Sequence, residues 1–436
     1  MGCNNLKSLC QSEQRSIKLK EICSKIGSGA TPRGGEKSYK EDGIPLIRSL
    51  NIYDLDFEYK NLALIDEFQA RELENVIVEP GDILINITGA SVGRCTIPPK
   101  ELLPARVNQH VSIIRIKSEI ADPYFVLYYL VNPNTKNKLL GFASAGATRE
   151  ALTKSMLEDL DIDLPSIYTQ KGIALVLKAF DDRIKANRKI NRMLEEIARA
   201  IFKHWFIDFE FPNENSEPYK SSGGEMIDSS LGPIPKGWKV SYIGDLLQIK
   251  RKSVSPEEVP TEFPYIGLEH MPKGSICLDI WGQVGTVKSE KMRFNKGDIL
   301  FGKLRPYFHK VGIAPVDGVC STDILVLNVE DSNYWSLAVE SVARKEFIDY
   351  ASAVSTGTRM PRANWEDLKR FKVSIPCGSH SLVLERFDNI FRNYVSAFFE
   401  GIYESKVLSM MRDNLLPKLM SGEIRVPVSE KEVDQF

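Results

Sequence analysis

A block of this sequence occurs twice. Gly81-Asp82-Ile83-Leu84 returns as Gly297-Asp298-Ile299-Leu300, and Ser144-Ala145-Gly146 with Thr148-Arg149 returns as Ser355-Thr356-Gly357 with Thr358-Arg359. Leu157–Leu160 (LEDL) returns as Trp365–Leu368 (WEDL), and Asp161–Pro165 as Lys372–Pro376. The matches keep their order, and the offset between partners drifts only slightly from one match to the next. Four matches in register make the chain a tandem duplication, so its 436 residues are two copies of one plan rather than a string of unrelated domains.

Each copy has two parts. Runs such as Val76–Val78, Ile83–Ile87, Val111–Ile116 and Ile324–Leu327 are apolar, short and bounded by Gly, Pro or Asn, which predicts strands in a mixed α/β unit. The second part is helical. From Thr169 to Phe206 the residues Ile173, Leu177, Phe180, Ile184, Leu194, Ile197, Ile201 and Trp205 recur at spacings that sum to threes and fours. From Leu382 to Leu419 a series beginning Leu384, Phe387, Phe391 does the same. Stripes of this length predict a coiled coil, with each helix of about 40 residues roughly 60 Å long. Asn187 and Asn191 stand on or beside the first stripe, where they either fix register from a buried position or lie solvated just off it. The predicted boundaries are a mixed α/β domain at 1–168, a central helix at 169–211 and an exposed linker at 212–236. A second domain follows at 237–378, then a second helix with its tail at 379–436.

Catalytic patterns are missing. The five histidines are scattered, with no H-E-x-x-H and no His/Cys cluster for a metal. Gly297–Leu304 is one residue short of a phosphate-binding loop and ends on Leu where a Mg²⁺-binding hydroxyl is needed. The Asn-Pro-Pro-Tyr type of segment that amino-methylating enzymes use is absent. Seven cysteines without a C-x-x-C pair fit core thiols in a reducing cytoplasm rather than a disulfide framework. No apolar run approaches a membrane span, and the first residues lack a signal-peptide core.

Charge is where function shows. With 57 basic and 58 acidic residues the net charge is −1, which excludes a uniformly basic coat but not a basic patch. The segment 167–211 carries +3 and 239–378 carries +2. Arg183, Lys185, Arg188, Lys189 and Arg192 form a short run that holds no acid, a stripe for phosphates or for docking an acidic partner unless it is a plain solvated face. Lys303, Arg305, Tyr307, His309 and Lys310 interleave cations with aromatics straight after a predicted strand, suiting contact with phosphates and guanine edges. Arg149, Arg359 and Arg362 follow small flexible stretches, and Arg33, Arg48 and Asn51 have similar loop character; all are candidate DNA contacts.

Together these features resemble the specificity (S) subunits of type I restriction–modification systems. Ile44–Ile47 after Thr31-Pro32, and Tyr265–His270 followed by Gly297–Arg305, resemble the openings of that family's target recognition domains. Phe202–Phe209 (FKHWFIDF) and Leu415–Ile424 (LLPKLMSGEI) resemble the endings of its two conserved helices. The resemblance covers about residues 17–426, and the segment before Ile17 matches nothing in it. It implies an α+β fold in which two α/β target recognition domains alternate with two long helices paired as an antiparallel coiled coil, a pseudo-twofold internal repeat. It also implies a non-catalytic subunit whose domains each read one half of a bipartite site on double-stranded DNA, with the coiled coil setting the gap. The implied partners are two methyltransferase (M) subunits, forming an adenine-N6 DNA methyltransferase with S-adenosylmethionine, and two restriction (R) subunits, forming an endonuclease with ATP and Mg. A cytoplasmic location and no cofactor in this chain follow from the same resemblance. Its rivals are a coiled-coil interaction protein without a DNA role and a fused methyltransferase or nuclease carrying its own recognition module.

Overall fold

A computed structural model describes residues 15–144 and 150–426. The chain divides into two compact units, Met1–Ile184 with Lys406–Phe436 and Lys185–Ser405. Each unit takes one recognition-type domain, part of the central helix and part of the second long helix. The duplication is therefore real, but its halves are interleaved through the helices rather than laid end to end.

Both units repeat one strand plan. In the first, an antiparallel sheet runs in the order Cys23–Ser28, Val111–Ile116, Ile83–Asn86, Cys95–Thr96. Its counterpart in the second unit runs Leu247–Lys250, Ile324–Val329, Ile299–Gly302, Val311–Ile313. A second, mixed sheet lies in each unit, with Ala105–Val107 parallel to Ile44–Ile47 and Gly318–Cys320 parallel to Pro264–Ile266. Strand pairs close each domain just before a long helix begins: Arg15–Lys18 on Asp161–Leu164, and Trp238–Tyr242 on Lys372–Pro376. The repeated Gly-Asp does the same work in each copy. Gly81 and Gly297 both turn at φ +88, a left-handed conformation that glycine adopts without a Cβ clash. Asp82 and Asp298 are buried behind them, paired at 2.8 Å with Arg115 and at 2.7 Å with Lys250, respectively.

The central helix spans Ile167–Phe202 and continues in a wider turn at Lys203–Ile207; the second long helix spans Ser381–Met420. They pair antiparallel. In the second unit Asn191 donates to the Phe398 carbonyl at 3.4 Å, while Asn187 donates to the Gly401 carbonyl at 3.4 Å and to Glu404 at 2.8 Å. Both asparagines are thus buried on the seam, with their amides satisfied across it. Ile197, part of the stripe in the sequence, is instead 43% exposed.

The first unit's core joins the helix residues Ile173, Leu177, Leu416 and Leu419 to the domain residues Phe125 and Leu130. The second unit's joins Phe202, Phe206, Phe387 and Phe391 to Trp238, Leu337 and Phe347. The stretch 212–236 is exposed over most of its length but is locally folded. Its polar residues face solvent, yet Tyr219 stacks on the buried Phe211 at 4.6 Å, and Met226–Ile227 pairs with Ile234–Pro235, burying Ile234. Aromatic burial ties it down, so it is a folded strap and not a flexible spacer.

Candidate nucleic-acid interface

In the second unit the basic loop grows directly out of the strand Ile299–Gly302. Pro306–Phe308 form a tight turn flanked by Arg305 and His309, both left-handed at φ 51 and 53. Left-handed non-glycine residues persist only where their surroundings hold them, and such strain gathers at functional sites. A second segment supplies part of that hold. Arg305 N–H donates to the Pro361 carbonyl at 2.7 Å, and Ala363 N–H donates to the Lys303 carbonyl at 2.9 Å. Thr356 and Arg362 exchange backbone bonds at 3.1 and 2.9 Å, forming a small loop that presents Arg359 to solvent. The fold thus gathers Lys303, Arg305, Arg359 and Arg362 from stretches far apart in the chain.

The side chains within this group differ in freedom. Arg359 and Tyr307 are exposed, and Lys303 is half-buried. Arg305 reaches the Arg359 carbonyl at 3.3 Å, and Arg362 pairs with Asp323 at 2.9 Å. His309 is anchored, its Nε2 lying 2.6 Å from the Ala343 carbonyl. Lys310 donates to the Leu268 carbonyl; burial, and secondarily the neighbouring Lys273, hold its ammonium below the usual lysine range. Lys273, whose ammonium lies 4.4 Å from the Phe308 ring centre, adds a cation that sequence reasoning missed, because nothing in its local pattern marks it. Against these cations stand the carboxylates of Asp323 and of Glu269, which acts on Lys310, and the balance is a basic surface with an exposed aromatic.

The first unit is built differently. Arg33 is exposed, but Arg48 is pinned by Glu36 at 3.2 Å, by the Asn61 carbonyl at 2.7 Å and by the Tyr39 ring. Asn51 is fully buried, accepting from Arg48 N–H and donating to the Glu58 carbonyl at 2.8 Å. Its amide shapes the loop and is not offered to a ligand. Arg149 lies outside the described residues. The structure instead assembles Thr88, Gln109 and His110: Thr88 Oγ1 is 2.7 Å from His110 Nδ1, and Gln109 Nε2 is 3.3 Å from His110 Nε2. Beside them Leu152 N–H donates to the Ile87 carbonyl at 2.8 Å, the counterpart of the Ala363–Lys303 bond. The repeat itself held this signal, since Ile83–Asn86 matches Ile299–Gly302 and the residue after each strand must occupy the same place.

On the central helix Arg183, Lys185, Arg188, Lys189 and Arg192 are all exposed, and Arg188 reaches Asp279 at 3.6 Å. Burial pushes the thiols of Cys23, Cys95, Cys277 and Cys320 up to about 12, which makes them poor nucleophiles. Among the described residues no group of three or more His, Cys, Asp or Glu is placed to hold a metal, and no helix is long and apolar enough to cross a membrane.

Comparison with known proteins matches this duplicated architecture. A model of the type I restriction modification DNA specificity domain fits residues 12–196 and again 235–389. The chain is 29% identical over 423 residues to the type I restriction enzyme MjaIX specificity subunit of Methanocaldococcus jannaschii, covering 94% of this chain and 93% of that protein. It is 30% identical over 431 residues to the HindI specificity subunit of Haemophilus influenzae, covering 80% and 87%. The crystal structure of the type I S subunit from M. genitalium shares the fold, with a TM-score of 0.53 at 15% identity over 93% of this chain and 95% of that one. The fold, the interleaved repeat and the doubled family match lead to one conclusion: this chain belongs to the type I restriction modification DNA specificity family.

Proposed function

We propose that this chain is the DNA-recognition subunit of a type I restriction–modification complex, that each domain reads one half of a bipartite duplex site, and that the paired helices set the gap. The observation that carries this reading is the repeated junction of strand end and returning loop, at Ile87–Leu152 in one unit and Lys303–Ala363 in the other. One fold presents two different sets of polar side chains at the same place, as two half-sites of different sequence require. The chain contributes recognition. The chemistry belongs to partners: two methyltransferase subunits with S-adenosylmethionine, and two restriction subunits with ATP and Mg, acting in the cytoplasm where the DNA is.

The helices support the docking of two copies of one partner. Ile190, Met193 and Ile197 form an exposed apolar stripe on the central helix, and Val407, Met410 and Met411 form one on the second helix. Met193 and Val407 stand equally far along their helices, counted from the starts at Ile167 and Ser381, and so do Ile197 and Met411. A duplicated surface suits a duplicated partner. The test is to express the chain with its methyltransferase subunit and map N6-methyladenine across a genome. A single split motif with a fixed gap is expected; unpatterned or absent methylation would overturn the reading.

A further inference from the structure

One face of the central helix is fastened to a single strap of the second domain, Gly274–Asp279. Arg188, Asn191, Glu195 and Arg199 stand three or four positions apart, so they share that face. Arg188 pairs with Asp279 at 3.6 Å, and Asn191 donates to the Cys277 sulfur at 3.6 Å. Glu195 is buried and accepts from Ile276 N–H at 2.9 Å and from the Ser275 hydroxyl at 2.7 Å. Arg199 joins Glu195 at 3.0 Å and the Gly274 carbonyl at 3.1 Å.

The strap in turn carries the basic loop. Gly274 N–H donates to the carbonyl of His309 at 2.8 Å, Lys273 covers the Phe308 ring, and Ile313 N–H donates to the Ile276 carbonyl at 3.0 Å. His309 is one of the two left-handed residues that shape the loop, so its conformation depends on restraint from outside. The first unit fastens its corresponding region within the domain: Asp54 accepts from Cys95 N–H at 3.1 Å and pairs at 2.7 Å with Lys136, from the domain's own helix Pro133–Ser144.

We infer that Glu195 and Arg199 are positioning residues for the second half-site: through Gly274–Ile276 they hold the Lys303–Lys310 loop in its DNA-reading conformation. This rests on the functional reading above. The central helix is thereby a part of the second recognition site.

The experiment uses the full chain assembled with its methyltransferase subunits, and duplexes carrying the mapped target or a single base change in either half. The second half-site is defined as the half whose discrimination falls in Tyr307→Ala, which removes the exposed aromatic of the loop itself. Glu195→Ala and Arg199→Ala are expected to lower discrimination at that half tenfold or more, and to leave the other half within twofold. Glu195→Gln, which still accepts from Ile276 and can bond Ser275, should restore most of the loss. Arg199 is nearly half exposed, and Glu195 keeps its bonds to Ile276 and Ser275, so the Arg199 variant keeps the fold, which a retained cooperative thermal melt will verify. Equal loss at both halves, or none at either, overturns the inference. Failure of the wild-type complex to prefer any bipartite duplex would instead overturn the functional reading beneath it.

Discussion

The two units close their helix pairs onto their domains with opposite chemistry. In the first, Asp181 is buried and accepts from the Tyr128 hydroxyl and from Arg412, which also pairs with Asp413 at 2.8 Å. In the second, the helix positions that correspond to Asp181 and Arg412, counted from the two helix starts, are Val395 and Ala198, both buried and apolar. The position matching Tyr128 is Glu340; the same bond closes both helices, from Asn132 N–H to Tyr128 and from Arg344 N–H to Glu340. Farther along the pair the second unit also has larger side chains, with Phe202 and Phe206 packed against Phe387 at 5.9 and 5.0 Å between ring centres where the first unit has Leu416, Met420 and Ile173. A polar lock within the helix pair has given way to a small apolar contact. The polar residues of the central helix then serve elsewhere, gripping the strap that carries the basic loop. Duplicated folds can thus keep register and topology while moving the ionic groups from holding the scaffold to holding the site.

The sharpest way to break this contrast is Asp181→Ala. It leaves Arg412 buried without its main carboxylate and Tyr128 without an acceptor, and should lower the stability of the first unit by about 3–5 kcal/mol in a denaturant titration. Replacing all three with apolar residues of similar size (Tyr128→Phe, Asp181→Leu, Arg412→Met) should be neutral or stabilising by about 1–4 kcal/mol, because no charge is then desolvated. A single variant that melts like the parent would show that the lock contributes nothing.

Glu340 gives the second unit a pH dependence that Tyr128 does not give the first. Burial pushes the Glu340 carboxyl up to about 8, outweighing the lowering effect of Arg199. The unfolded carboxyl ionises near its ordinary value of about 4.3, so the unfolded state loses its proton first as pH rises. The contribution is fully present below that value and is lost progressively up to about pH 8, at roughly 1.4 kcal/mol per unit of the interval. Burial also raises the Tyr128 hydroxyl, which therefore stays neutral throughout. Thermal melts between pH 5 and 8 should show the second unit's transition falling, and Glu340→Gln should flatten it. A fall that persists in the variant would assign the dependence to another group.

A smaller contrast separates the candidate contacts. Arg359→Ala should leave stability unchanged and lower the salt slope of DNA binding by about one phosphate contact. Arg48→Ala should do the reverse, destabilising the first unit by about 1–3 kcal/mol through lost hydrogen bonds to a partly buried guanidinium while leaving the slope alone. If Arg48→Ala lowers the slope instead, the first unit presents that residue to DNA after all.

The sequence made the architecture readable because repeats and heptad stripes are periodic, and periodicity survives divergence. Val111–Ile116 came out to the residue, and the long helices came out to within a few residues at either end. Asn187 and Asn191 stayed ambiguous because the seam drifts against a perfect 3.5 repeat, and only their bonds to Gly401 and Phe398 decide the matter. The site was half legible. A cluster of cations in one loop marks itself, as Lys303–Lys310 does, but Lys273 joins it only through the fold. Asn51 and Arg48 have loop chemistry in the sequence, yet their donors turn inward to satisfy backbone carbonyls, a choice set by local geometry. Thr88, Gln109 and His110 carry little charge and become visible only by transferring the second copy's geometry onto the first.

The central claim is that two domains read two half-sites and the helices measure the distance between them. The boundaries Ile184–Lys185 and Ser405–Lys406, where the two units meet in sequence, offer a direct test. Inserting one matched heptad at each leaves the contacts within both units untouched and lengthens the pair by roughly 10 Å, about three base pairs of duplex. Mapping N6-methyladenine for the parent and the insertion variant should show both half-sites unchanged and the gap longer by about three base pairs. A variant that methylates a different half-site sequence, or keeps the parent's gap, would contradict this division of labour.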